Sequence, residues 1–183
     1  MNIFNCTITI ALIVINGFIF LLIKLGKLSI YKFGMSYTMT NSRKEYYRII
    51  TSAFTHEDPV HILCNMYSMY NIGSALEPAL GPKIFAIVYI IILLGGGGLS
   101  YLIHRKIHPN ALCIGASGTI CGLLGVYSAI IIKIYGIAGI RSVLPTIIIL
   151  VLMTASKKID SVGHFSGLAA GLVCGCVLAG MWW

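Results

Sequence analysis

Residues Ser161–Trp183 read SVGHFSGLAAGLVCGCVLAGMWW, a stretch without one formal charge. A helix that crosses the hydrocarbon of a bilayer needs roughly 20 mostly apolar residues, and this segment supplies them in a single run. Within it Gly163, Gly167, Gly171 and Gly175 recur every four residues. That spacing puts them on one helix face, as a groove into which a second backbone can fit. His164 sits at the head of the groove. An imidazole at membrane depth is expensive and marks a functional candidate.

The rest of the chain has the same character. Of 183 residues, 58% are hydrophobic and 10% charged, against about a quarter charged in a soluble domain, and mean hydropathy is +0.93. Such a composition excludes a soluble enzyme domain and a disordered chain. Continuous rather than alternating apolar runs argue against a transmembrane β-barrel. Charges divide the sequence into six expected spans. The first, Met1–Ile23, is closed by Lys24 and Lys27. The second, Pro59–Leu76, is ended by Glu77, Pro78, Gly81 and Pro82. Ile84–Ile103 follows, with the run Gly95–Gly98, and the fourth lies within the charge-free segment Ile107–Ile132. Ser142–Ser156, containing Pro145, is the fifth. Ser161–Trp183 is the last, with Trp182 and Trp183 as interfacial anchors.

The expected fold is therefore an all-α membrane bundle of six helices, one domain over residues 1–183. Residues 24–58 form a connection long enough to require structure or function of its own. Its six bases are interleaved with Tyr, Phe and Met, so it should pack against the bilayer or the bundle. The opening MNIFNCTITI has no basic n-region and no small-residue cleavage site, and reads as the start of a retained span rather than a signal peptide.

The net charge of +8 comes from 13 Lys and Arg against 5 Asp and Glu. These bases lie in connections, where lipid headgroups rather than nucleic acid are the expected partners. Cys6, Cys64, Cys113, Cys121, Cys174 and Cys176 lie mostly inside apolar runs without a CxxC pair, so neither a disulfide nor a metal is expected. Cys174 and Cys176, two apart, point to different helix faces. HEDPVH (His56–His61) resembles a zinc motif, but that motif needs two His at i and i+4 on one helix face. Here the spacing is five and Pro59 interrupts any helix between them.

Parity brings the remaining polar groups together. The second, fourth and sixth spans run in the same direction and begin on one face of the membrane. His61 and Asn65 open the second, Ser117 of GASG (Gly115–Gly118) the fourth, and His164 of GHFSG (Gly163–Gly167) the sixth. A hydroxyl becomes a competent nucleophile when an imidazole accepts its proton. Ser117 and His164 are such a pair in type, if two helices touch closely. Gly118 and Gly122 match the glycine groove of the last span. His61 and Asn65 are i, i+4 neighbours on one face; with the Ser117 amide at a helix N-terminus they can donate to an oxyanion. Each residue also has a plainer reading. Ser in a Gly-rich helix can bond the preceding turn, and Asn can hold helices together. His104 and His108, in the basic turn His104–Pro109, are given no role.

Taken in order, YRIITSAFTH (Tyr47–His56), HILCN (His61–Asn65), GASGTICGLLG (Gly115–Gly125) and GHFSGLAAG (Gly163–Gly171) resemble the rhomboid family of intramembrane serine proteases over essentially the whole chain. The resemblance implies Ser117 as nucleophile and His164 as base, with His61 and Asn65 supporting the oxyanion beside Gly115. It implies no cofactor and no metal. Its substrates would be single-pass membrane proteins, cut near the end of a transmembrane helix that is locally unwound. Tyr47-Arg48 stands where the family usually has a structural Trp-Arg. Cys121 replaces a usual aromatic four residues after the serine, leaving less to fix the His164 ring, and Gly163 replaces a common Ala.

Ten bases lie on the side of these residues (six in the first connection, with Arg105, Lys106, Lys157 and Lys158) against Lys83, Lys133 and Arg141 on the other. The positive-inside rule would put the site in the cytoplasm, whereas the resemblance implies the non-cytoplasmic face of a cell membrane, with the N-terminus inside. The expectation follows the resemblance. Two other classes compete. A catalytically inactive rhomboid-like protein binding transmembrane clients usually lacks the nucleophile or base, and both are here. A small transporter needs polar residues through the full membrane depth, whereas this cluster is one-sided.

Overall fold

Helix α1 (Thr7–Lys24) begins on a buried carboxylate. In the computed structural model, which describes residues 6–153 and 160–182, Glu77 is fully buried. Its oxygens accept from Ile8 N at 2.9 Å, Thr9 N at 2.8 Å and Thr9 Oγ1 at 2.7 Å. The first amides of a helix have no intrahelical partner and carry its positive dipole end, so one acidic side chain holds α1 against α5 (Pro59–Leu80). Gly73, one turn earlier on α5, leaves room for Thr9, whose Oγ1 would stand 2.5 Å from a Cβ there.

This contact corrects one expected boundary. Glu77, Pro78, Gly81 and Pro82 are expected to end the second span after Leu76; α5 runs past Glu77 and Pro78 to Leu80 and ends at Gly81. Pro78 removes a single helical hydrogen bond, while Leu76, Glu77 and Leu80 are all buried and hold the last turn in place.

Gly81, at φ 77°, turns the chain directly into α6 (Pro82–His104). After residues 105–116 come α7 (Ser117–Tyr135), a turn at Gly136 with φ 55°, α8 (Ile137–Met153) and α9 (Ser161–Trp182). The fifth span was expected to start at Ser142; the helix starts at Ile137 and carries Arg141 on its exposed side, where a long cation reaches polar surroundings. The end of that span, Lys157, Lys158, Met1 and Trp183, with the side chain of Trp182, lie outside the described residues.

Among the described residues four helices, α1, α6, α7 and α9, are long and apolar enough to cross a membrane. Their outward faces carry Val14, Phe18, Leu21, Ile87, Ile90, Ile91, Val173 and Val177 exposed, as lipid-facing surfaces should. α5 is diluted by His61, Asn65, Asn71 and Glu77, and α8 has 17 residues.

The connection between α1 and α5 contains α2 (Ile30–Phe33), α3 (Tyr37–Arg43), α4 (Arg48–Thr51) and a 3₁₀ turn at Ser52–Phe54. Arg48 organises it from a buried position, pairing with Glu45 and donating to the carbonyls of Tyr31 at 2.7 Å and Gly34 at 2.8 Å. Met35 and Cys113 exchange backbone hydrogen bonds of 3.0 and 2.7 Å, which ties this connection to the segment leading into α7.

α7 is the central helix. Leu123 and Val126 are fully buried, with Phe85, Ile92 and Met69 packed into the same core. Its contact with α9 is backbone on backbone: a Cβ on Gly167 or Gly171 would overlap the carbonyl oxygens of Gly118 and Gly122 respectively. Gly163, the fourth member of the expected register, instead faces Asp160 Oδ2, 2.5 Å from where its Cβ would be.

Candidate active site

Ser117 is the first residue of α7 and His164 lies in the first turn of α9. Asp160 starts that turn, its Oδ1 accepting from Gly163 N at 2.9 Å and its carbonyl from His164 N at 3.1 Å. This is an N-cap, satisfying amides that α9 cannot satisfy itself. Burial alone would raise the Asp160 carboxyl, but bonds from His104 and from the Gly163 amide hold it below its ordinary value. With α7 and α9 pressed together through their glycines, Ser117 Oγ stands 2.8 Å from His164 Nε2. That separation is a hydrogen bond, and the hydroxyl donates in it when the imidazole carries its hydrogen on Nδ1. His164 is buried, and its Nδ1 has no hydrogen-bond partner among the described residues. Cys121 is also buried, one turn below Ser117.

Gly115 joins the two halves of the site. Its φ of 104° lies in the region that favours glycine, and a Cβ there would sit 2.5 Å from His61 Nε2 and 3.3 Å from Asn65 Nδ2. The side chains of His61 and Asn65 therefore flank the backbone two residues before Ser117. The first-turn amide of Ser117 has no intrahelical acceptor, as helix geometry requires. The structure thus brings Ser117, His164, His61, Asn65 and Gly115 to one place, and Gly118, Gly163, Ser52 and Gly96 line the cavity beside Ser117 and His164.

His56 went unrecognised in the sequence beyond the rejected zinc pattern. It is fully buried, and its Nε2 accepts both from Asn65 Nδ2 at 2.9 Å and from Ala116 N at 3.3 Å. One nitrogen accepting from two donors must be unprotonated, so the ring is neutral with its hydrogen on Nδ1. Burial, together with the neighbouring His61, lowers its pKa to about 4, which keeps it so near neutrality. His56 thus orients Asn65 and fixes the backbone immediately before Ser117. Its ring meets that of His61 edge-on at 4.9 Å. The signal available beforehand was only its place in YRIITSAFTH, because the bond to Ala116 spans sixty residues.

His104 is a second departure. Instead of lying in a solvated basic turn, it is buried at the end of α6, 3.0 Å from Asp160 Oδ1 and 3.4 Å from Cys113 Sγ.

Residues 43–181 match the rhomboid domain model. RHOMBOID-like protein 5 of Arabidopsis thaliana is 31% identical over 139 residues, covering 73% of this chain and 44% of its own length. Putative rhomboid protease YdcA of Bacillus subtilis is 28% identical, over 75% of this chain and 69% of its own. Rhomboid-like protease 3 of Toxoplasma gondii is 26% identical, over 78% and 56%. The chain spans less than half the length of the plant relatives it matches. Motifs in one order, glycine-packed helices around a serine and a histidine, and a domain match over most of the sequence lead to one conclusion: the chain is an integral membrane protein of the rhomboid family.

Proposed function

We propose that this protein is an intramembrane serine endopeptidase acting through a Ser117–His164 dyad. The observation that carries the reading is the 2.8 Å approach of Ser117 Oγ to His164 Nε2, made by residues on different helices. His164 takes the hydroxyl proton as Ser117 attacks the scissile carbonyl. The oxyanion is held by the Ser117 amide, by His61 and by the N–H of Asn65 not used on His56. His164 returns the proton to the leaving amine, and water releases the acyl-enzyme.

The substrates are single-pass membrane proteins cut within or near their spans. Helical carbonyls are occupied, so the bond cut must lie where the helix is weakened by small or helix-breaking residues. The full reading is a single domain over residues 1–183 crossing the membrane six times, α5 and α8 included, with the connection after α1 resting on the bilayer and the site opening on the non-cytoplasmic face. The protease names borne by relatives in Bacillus subtilis and Toxoplasma gondii support the activity.

A labelled fluorophosphonate applied to the purified protein tests it. Label should be incorporated by the wild type and lost in Ser117→Ala. Labelling that survives in Ser117→Ala would mean another serine reacts.

A further inference from the structure

His104, Cys113 and Asp160 take no part in that chemistry, yet they converge. His104 closes α6, Cys113 lies in the segment before α7, and Asp160 caps α9. Their donor atoms Nε2, Sγ and a carboxylate oxygen all lie within 4.8 Å of one another. His104 and Cys113 are buried, while Asp160 is partly exposed. Each donor is held in place: His104 by the last turn of α6, Cys113 by its backbone pairing with Met35, and Asp160 by its bond from the Gly163 amide.

Imidazole nitrogen, thiolate sulfur and carboxylate oxygen together suit a borderline-soft divalent ion rather than calcium or magnesium. The spacing fits as well. With metal bonds of about 2.3 Å to sulfur and about 2.0–2.1 Å to nitrogen and oxygen, tetrahedral edges come to about 3.6 Å for S···N and about 3.3 Å for N···O. The observed separations are 3.4 and 3.0 Å. The third edge, from Cys113 Sγ to the Asp160 carboxylate, lies within 4.8 Å against about 3.6 Å in a tetrahedron, so closure of up to about 1 Å along that edge makes the site. The exposed side of Asp160 supplies an entry path and a fourth position for water.

We propose that His104, Cys113 and Asp160 form a binding site for a divalent cation of the zinc class, one that clamps α6, the segment before α7 and the start of α9 together. On binding, the Cys113 thiol gives its proton to water and no electron is transferred. The sequence did not suggest this, because 9 and 56 residues separate His104 from its two partners.

The test uses tag-free, chelator-washed protein in detergent, titrated with Co²⁺ and then Zn²⁺. One equivalent of Co²⁺ should produce a thiolate-to-cobalt charge-transfer band, displaced by Zn²⁺ and absent in Cys113→Ser. His104→Ala should weaken binding by more than the roughly 10–100-fold that loss of an outer partner costs. Zn²⁺ should raise the Tm of the wild type by on the order of 2–4 °C, and not that of Cys113→Ser. Ser117→Ala should bind as the wild type does, which separates this site from the proteolytic reading. No band in the wild type, or a band or Zn²⁺-induced Tm rise that persists in Cys113→Ser, would overturn the proposal and leave the three groups as a hydrogen-bonded latch.

Discussion

Gly171→Val places a side chain where α9 meets the backbone of α7, far from any reacting group. A Cβ on Gly171 would overlap the Gly122 carbonyl oxygen, and would lie 2.5 Å from its carbon and 2.7 Å from the Gly122 Cα. Ordinary carbon contacts need about 3.5 Å, so the helices must part by about 1 Å at this level. Gly171 is seven residues below His164, about 10 Å along the axis. The Asp160 cap holds the start of α9 in place, so part of the displacement is absorbed as tilt and part reaches the 2.8 Å contact between Ser117 and His164. A misplacement of about 1 Å costs on the order of 10²-fold in rate, or about 2.7 kcal/mol of barrier. Overpacking itself should lower stability by about 1–3 kcal/mol. Gly180→Val is the matched control, because nothing lies within 4 Å of a Cβ there. Gly171→Ala carries the offending Cβ alone and should already lose most of the activity. The assay is cleavage of a transmembrane model substrate in proteoliposomes, with thermal unfolding measured on the same preparations. Folded Gly171→Val that cleaves as fast as Gly180→Val would refute the claim that glycine packing sets the dyad.

Two further outcomes follow from the polar side of the site. His61→Ala and Asn65→Ala should each slow cleavage by about 10²–10³-fold if they hold the oxyanion. Only Asn65→Ala should also cost about 1–3 kcal/mol of stability, since it strips a buried partner from His56; unchanged activity in the double variant would leave these residues a packing role. His56 ordinarily titrates near pH 6.5, but in the fold near 4. The unfolded chain therefore binds the extra proton between those values, and stability present above pH 6.5 should decline by about 3 kcal/mol as pH falls to 4. Denaturant unfolding across that range should show the slope in the wild type and lack it in His56→Gln; equal slopes would contradict the neutral, doubly accepting ring.

What the sequence determined by itself is whatever rests on local pattern. Uncharged apolar runs announced the membrane, since a bilayer tolerates only helices whose backbone bonds are satisfied internally. Parity put Ser117, His164, His61 and Asn65 on one side, and four-residue glycine spacing foretold the contact of α7 with α9. Tertiary structure decided what depends on which distant groups meet. Pro78 lies inside α5 because Glu77 is held by Ile8 and Thr9, sixty-eight and more residues away. His56 became the support of Asn65 because the fold brings Ala116 to it. Gly163, in register with the other glycines, faces its own cap because Asp160 folds over the end of α9. His104, charged-looking in a basic turn, is buried because that same Asp160 completes it. In each case the environment of a polar group is supplied by a residue far along the chain, and periodicity records only which face a residue occupies, not what the fold sets against it.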